Sequence, residues 1–153
     1  MESMCLKNCG LSKIQKYHSG YFKSCISLFK TNTPDFFDYS EQQLFENYLL
    51  KKDIQYYVLF NEDNRIVAAG GYGYNRQTKT IDLTWGMVDR NYHKNGFGRC
   101  LTNYRLQKIT TKYPKSDVLL NTTQHTFMFY EKFGFKTTNI TKDYYALGLD
   151  RYD

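Results

Sequence analysis

One stretch constrains this chain more than any other: Val88-Asp89-Arg90-Asn91-Tyr92-His93-Lys94-Asn95-Gly96-Phe97-Gly98-Arg99. It follows a segment that alternates apolar and polar residues and leads into apolar residues at helical spacing, so a strand, a glycine loop and a helix start come in that order. Gly96 and Gly98 let the backbone turn sharply and approach a ligand. The first helical amides have no acceptor inside the helix and stand at the positive end of its dipole. Such an arrangement binds anions, phosphate above all. Other glycine-loop chemistries fail on the residues: a dinucleotide fingerprint needs glycine where Leu101 stands, and a Walker A loop needs Gly-Lys-Ser/Thr, which is absent.

The segments around this stretch set its context. Residues 1–18 give only a short strand near Met4-Cys5-Leu6. From Ser19 to Lys30, the spacing of Tyr21, Phe22, Cys25, Ile26 and Phe29 predicts a helix, which the loop through Pro34 ends. Ser40 and Gln43 have the form of a capping box for a second helix to about Lys52. Strands follow at Gln55 to Phe60 and Arg65 to Tyr74, joined by a polar hairpin loop, with Gly70, Gly71 and Gly73 pointing to a bulge or a close backbone approach. The strand from Thr80 to Val88 is expected to alternate strictly, with Ile81, Leu83, Trp85 and Met87 on one face and Asp82, Thr84, Gly86 and Val88 on the other. After the loop, Phe97, Cys100, Leu101, Tyr104 and Ile109 mark a helix that stops before Pro114. A short strand, Asp117 to Asn121, precedes a compact helix capped by Thr122 or Thr123 and ended by Gly134. The tail from Phe135 to Leu149 returns to strand.

At 153 residues the chain is read as one domain, 1–153, able to bury a core unaided. No run approaches the roughly 20 apolar residues of a membrane span, and the N-terminus lacks the features of a signal peptide, so the expectation is a cytoplasmic protein without membrane contact. Cys5, Cys9, Cys25 and Cys100 are scattered and read as free thiols; no metal site is expected. The net charge of +6 suits a polyphosphate ligand as well as nucleic acid, but the basic residues form no tract or helical stripe, so nucleic acid is not the expected partner.

Two motifs in this order resemble the GNAT superfamily of N-acetyltransferases. Val88 followed by His93-Lys94-Asn95-Gly96-Phe97-Gly98 is similar to its acetyl-CoA loop, and Phe129-Tyr130-Glu131-Lys132-Phe133-Gly134-Phe135 to its short helix and turn. His93 departs from the Gln or Arg usual there, and Arg90 from a common Pro. The resemblance implies a single-domain α/β fold: a mixed, mostly antiparallel twisted sheet flanked by helices, splayed between the strand ending at Val88 and the strand ending at Asn121. It also implies acetyl-CoA as co-substrate, no metal, and an amine acceptor, and it leaves room for a homodimer.

The site residues follow from the same resemblance. The pyrophosphate would lie against Lys94, Asn95, Gly96, Phe97, Gly98 and Arg99, held mainly by main-chain N–H groups, with His93 and Asn121 alongside. The Val88 N–H would serve the oxyanion and Tyr130 would protonate the departing thiolate. A lysine-type amine with a pKa near 10.4 is neutral in roughly one molecule in 2,500 at pH 7, so a base is needed. Asp82, six residues before Val88, takes that part, with Glu131 and His125 as weaker alternatives. Tyr21, Phe22, Phe36, Phe37 and Tyr39 fit an aromatic acceptor cleft and a helix core equally well. A catalytically silent acyl-CoA-binding module and a basic nucleic-acid-binding protein remain the alternatives to an N-acetyltransferase.

Overall fold

A computed structural model describes residues 13–153; the strand expected near Met4-Cys5-Leu6 lies outside them. Five strands form the main sheet in the order β1 (Lys13–Lys16), β2 (Gln55–Phe60), β3 (Ile66–Asn75), β4 (Thr80–Val88) and β5 (Val118–Leu119). The first four pair antiparallel, whereas β5 pairs parallel to β4. A parallel neighbour requires a crossover, and α3 (Phe97–Lys112) supplies it. A separate hairpin of β6 (Ile140–Ala146) and β7 (Leu149–Tyr152) is joined by an isolated bridge at Tyr152 to Thr122, just after β5.

Helices cover both faces. On one lie α1 (Phe22–Thr31) and α2 (Gln42–Leu49), whose Cys25, Phe29, Phe45 and Leu49 pack with Tyr56 and Val58 of β2. On the other, Cys100, Leu101 and Ile109 of α3 pack with Tyr57 and Leu59. The two-residue period of β2 thus divides its side chains between two cores, and a strand buried on both faces reads as continuously apolar.

Four local expectations are corrected. The capping box lies at Asp38 and Glu41, not Ser40 and Gln43: Asp38 accepts from the Ser40 N–H, and Glu41 Oε2 accepts from the Asp38 N–H at 2.8 Å. The helix α4 spans only Phe127–Glu131 because Thr122 and Thr123 are drawn into bonds with Tyr152 and with the turn at His125. Cys25 is a buried free thiol, but Cys100 is disulfide-bonded, a pairing that cysteine spacing cannot reveal.

The correction that matters most concerns β4. Ala69 pairs with Met87 and Gly71 with Thr84, so Trp85 and Gly86 together oppose Gly70, and Trp85 adopts a φ of 44°. This bulge reverses the alternation partway along the strand. Ile81, Leu83 and Val88 pack on the α3 side, while Trp85 and Met87 join the α1 and α2 core. Asp82 and Val88 therefore project from opposite faces.

Candidate active site

The pairing of β4 with β5 ends at Asp82 and Leu119, so the rest of β4 up to Val88 has no neighbour on that edge. At the other edge, Asp89 N–H donates to Val67 O at 2.8 Å while Val88 sits opposite Ala68. In an antiparallel ladder that pattern makes Val88 and Ala68 a non-hydrogen-bonded pair. The Val88 N–H consequently turns away from β3, toward the opening.

Val88 is held firmly there. Its carbonyl oxygen accepts from Asn32 Nδ2 at 2.9 Å and from His93 Nε2 at 2.9 Å, which requires the proton on Nε2. Asn32 is 2% exposed and also donates to Leu28 O, so the end of α1 is tied directly to the end of β4. Two further ties reinforce it: Arg90 N–H donates to Thr31 Oγ1, and the Arg90 guanidinium pairs with Asp35. The ring of His93 thus faces Val88 and Phe36, with the Phe36 ring 5.3 Å away.

Beyond Val88 the chain prepares an anion site from its main chain. Asp89, buried, accepts from the Asn91 N–H and starts a short turn. Lys94 and Gly96 then take positive φ values of 64° and 82°, and Gly96 is the residue preceding α3. No side chain caps that helix, so its leading amides, from Phe97 to Arg99, face outward. Gly98 keeps the helix close: a Cβ there would stand 3.3 Å from Val88 Cγ2 and 3.4 Å from Phe129 Cζ.

Tyr130 reaches the same region from α4. Its hydroxyl stands 3.1 Å from the position a Cβ on Gly86 would occupy, so it points at the β4 bulge. Asn121, exposed, accepts a 2.8 Å hydrogen bond at Oδ1 from the Tyr145 hydroxyl. Asp82 and Glu131 are exposed and line one groove with Tyr130 and Asn121. The fold thus gathers Val88, the glycine loop and Tyr130, with Asp82 on the far side of the bulge.

The opposite wall comes from the segment between α1 and α2. Phe36 lies edge-on to both His93 and His125, while Phe37 stacks on Trp85 in the core and Tyr39 is 66% exposed. The aromatic set divides, with Phe36 at the cleft and Tyr21, Phe22 and Phe37 in the core. Burial pushes the Glu41 carboxyl above the usual carboxylate range, and burial together with the charge of Glu41 pushes Tyr145 up to about 12.

Two residues absent from the sequence reading belong to this architecture. Asn32 gave no signal, because its role depends on a strand far along the chain. Arg105 did carry one: it falls four residues after Leu101 and four before Ile109, on the apolar stripe of α3, and it is 2% exposed.

The opening beside the parallel strand and the bare start of α3 lie together, with the Tyr130 hydroxyl aimed at the β4 bulge. Residues 27–150 match the family model described as an acetyltransferase (GNAT) domain, and the chain belongs to that family. No curated protein matches it in sequence. Among solved structures it is similar to a ribosomal-protein alanine N-acetyltransferase from Escherichia coli, with 16% identity, a TM-score of 0.75, and coverage of 92% of this chain and 90% of that one. It is also similar to Ard1 from Thermoplasma volcanium, with 18% identity, a TM-score of 0.72 and coverage of 92% and 93%. A third is an aminoglycoside 6'-N-acetyltransferase complexed with coenzyme A, with 14% identity, a TM-score of 0.70 and coverage of 92% and 93%. At these identities the likeness is one of fold. Among the described residues no cluster of His, Cys, Asp and Glu could hold a metal, and no helix is long and apolar enough to cross a membrane.

Proposed function

We propose that this protein is an acetyl-CoA-dependent N-acetyltransferase that delivers the acetyl group to a cationic primary amine by direct attack. One observation carries the reading: the uncapped start of α3, the unpaired end of β4 and the Tyr130 hydroxyl are held together through Gly98, Phe129 and Gly86. The amides around Gly96 and Gly98 would take the pyrophosphate. The Val88 N–H, turned to the opening, would donate to the oxyanion as the amine adds. Tyr130 would give its proton to the sulfur as the carbon–sulfur bond breaks.

Asp82 is exposed and on the opposite strand face from Val88, so it would serve the incoming ammonium through water rather than by contact. The acceptor wall supports a cationic amine. Phe36 brings an aromatic ring beside His93, and Asp82 and Glu131 line the groove that holds Tyr130. Related folds include a spermidine N-acetyltransferase from Vibrio cholerae and the aminoglycoside enzyme, which makes polyamines and aminoglycosides the first acceptors to try.

Calorimetry with acetyl-CoA should show binding that CoA competes away, and a panel of polyamines, aminoglycosides and peptide amines should yield thiol release with at least one member. Absence of heat would refute the proposal. Heat without thiol release from any amine would leave a silent acyl-CoA-binding module.

A further inference from the structure

Arg105 is the largest fully buried side chain among the described residues, and it has no carboxylate partner among them. One guanidinium nitrogen, Nη1, donates to Gly71 O at 3.2 Å; Nε is buried with no hydrogen-bond partner. Leaving a cation this deep and this poorly paired costs stability, and an apolar residue would fit the stripe of α3 between Leu101 and Ile109 better. A compensating use is therefore to be sought in what surrounds it.

The surroundings converge on the β4 bulge. Gly70 and Gly86 make room for the guanidinium: Cβ atoms there would meet Cζ and Nη1 at 3.0 Å, and Nη2 at 3.0 Å. The same point above Gly86 lies 3.1 Å from the Tyr130 hydroxyl, so Arg105 Nη2 and Tyr130 Oη approach one backbone position and lie on the order of 6 Å apart or less. The positive charge also opposes the effect of burial on the phenols of Tyr48 and Tyr56. Tyr130 reaches the same bulge from α4 and also lines a groove with the carboxylates Asp82 and Glu131. Tyr48 and Tyr56 are already committed to Thr84 Oγ1 and Trp85 O. Tyr130 is the phenol of this set assigned a proton transfer.

We propose that Arg105 is a positioning residue for acetyl transfer, acting through Tyr130: its guanidinium holds the hydroxyl at Gly86 and stabilises the negative charge that the reaction places there. This rests on the acetyltransferase reading. As the amine nitrogen bonds to the acetyl carbon, the carbon–sulfur bond breaks and its electron pair goes to sulfur. The Tyr130 proton moves to that sulfur, leaving the charge on the phenol oxygen until the attacking nitrogen, cationic since it bonded to the acetyl carbon, gives up its extra proton and solvent relays it back, so that a neutral amide and a neutral thiol leave. Arg105 stays protonated throughout and exchanges nothing. A cation near the Tyr130 oxygen in a site of low dielectric favours the states in which that oxygen carries the negative charge or donates its proton toward a thiolate, so its effect on sulfur passes through the hydroxyl.

The test compares wild type with Arg105→Leu, Arg105→Lys and Tyr130→Phe, and with the double variant R105L/Y130F. Calorimetry measures CoA and acetyl-CoA at pH 7 and pH 9.5, either side of a thiol pKa of about 8.5. Wild type should favour CoA over acetyl-CoA at least about threefold more at pH 9.5, where CoA is a thiolate, than at pH 7. Arg105→Leu should lose that preference, and Arg105→Lys should keep part of it. In the transfer reaction, Arg105→Leu should lower kcat roughly tenfold with acetyl-CoA affinity within about twofold, and should cost nothing further in the Tyr130→Phe background. Its melting temperature should be unchanged or higher; should it fail to fold, the lysine variant carries the same comparison.

A thiolate preference that survives Arg105→Leu, or a kcat loss that multiplies with that of Tyr130→Phe, overturns the proposal while the acetyltransferase reading stands. A thiolate preference lost with Arg105 in a protein that acetylates no amine supports the charge-holding role and refutes the transferase reading. No binding of either nucleotide overturns both.

Discussion

The two walls of the cleft are built on different principles. The wall around Gly96 offers main-chain N–H groups arranged by positive φ values at Lys94 and Gly96 and by an uncapped helix. The wall around Phe36 offers side chains from the α1–α2 segment, the His125 turn and the β6–β7 hairpin. A main-chain site recognises the one group common to all acyl-CoA donors and needs little of side-chain identity. A side-chain site distinguishes one acceptor from another, and its residues need share no local pattern.

The largest expected effect tests the main-chain wall. On the proposed function, Gly96→Asp should abolish acetyl-CoA binding in calorimetry, because it places a carboxylate where the pyrophosphate would sit. A Cβ there would meet no protein atom within 4 Å, so repulsion of the ligand, together with the strain of a non-glycine residue at a φ of 82° and not crowding, carries the loss. Retained affinity would move the site elsewhere. Next, Tyr130→Phe should lower kcat roughly 10²-fold while acetyl-CoA affinity stays within about twofold, read by thiol release at saturating substrates. Equal turnover in a reaction limited by chemistry would remove the hydroxyl from the acid role.

Asn32→Ala joins the two walls. It strips a buried donor from Val88 O and Leu28 O, and should lower stability by about 1–3 kcal/mol in denaturant titration. It should also weaken acetyl-CoA binding severalfold, since the Val88 end of β4 would lose its anchor to α1. Smaller again, Phe36→Ala should raise the acceptor KM severalfold and leave acetyl-CoA binding untouched. A change in nucleotide affinity there would show that the division into two walls is wrong.

The smallest effect is electrostatic. Burial raises the Glu41 carboxyl above its ordinary value of 4.5, so the folded state holds the proton more tightly than the unfolded chain. The stability this contributes is full below the unfolded value and is lost as pH rises through the folded one. Glu41→Gln should therefore flatten the fall in melting temperature as pH is raised above 4.5, while its side-chain oxygen still accepts from the Asp38 N–H. An unchanged slope would show that the surroundings of Glu41 do not raise its affinity for the proton.

How much of this was legible in the sequence differs along the chain. The strands Gln55–Phe60 and Thr80–Val88 and the helix starting at Phe97 were readable because period and glycine placement are local properties. The β4 bulge was not. Its cause is a mismatch in pairing between Gly70 and the Trp85-Gly86 pair, and pairing partners are absent from a strand's own pattern. The strand expected from Phe135 to Leu149 is instead β6 from Ile140 to Ala146, an exposed turn at Leu147 and Gly148, and β7 from Leu149 to Tyr152, because the hairpin pairing that sets these limits is absent from the tail's own pattern.

By itself the sequence determined the glycine loop, the helix that follows and the Phe-Tyr-Glu-Lys-Phe-Gly-Phe segment, and with them the family. Each rests on residues adjacent in the chain, where backbone conformation and hydrogen bonding are decided within a turn or two. Tertiary structure alone decided that His93 and Asn32 share the Val88 carbonyl, that Asp82 lies across the bulge from Val88, and that Arg105 shares Gly86 with Tyr130. These are meetings between residues far apart in sequence. They come about because burying both faces of one sheet leaves few places for its side chains to go.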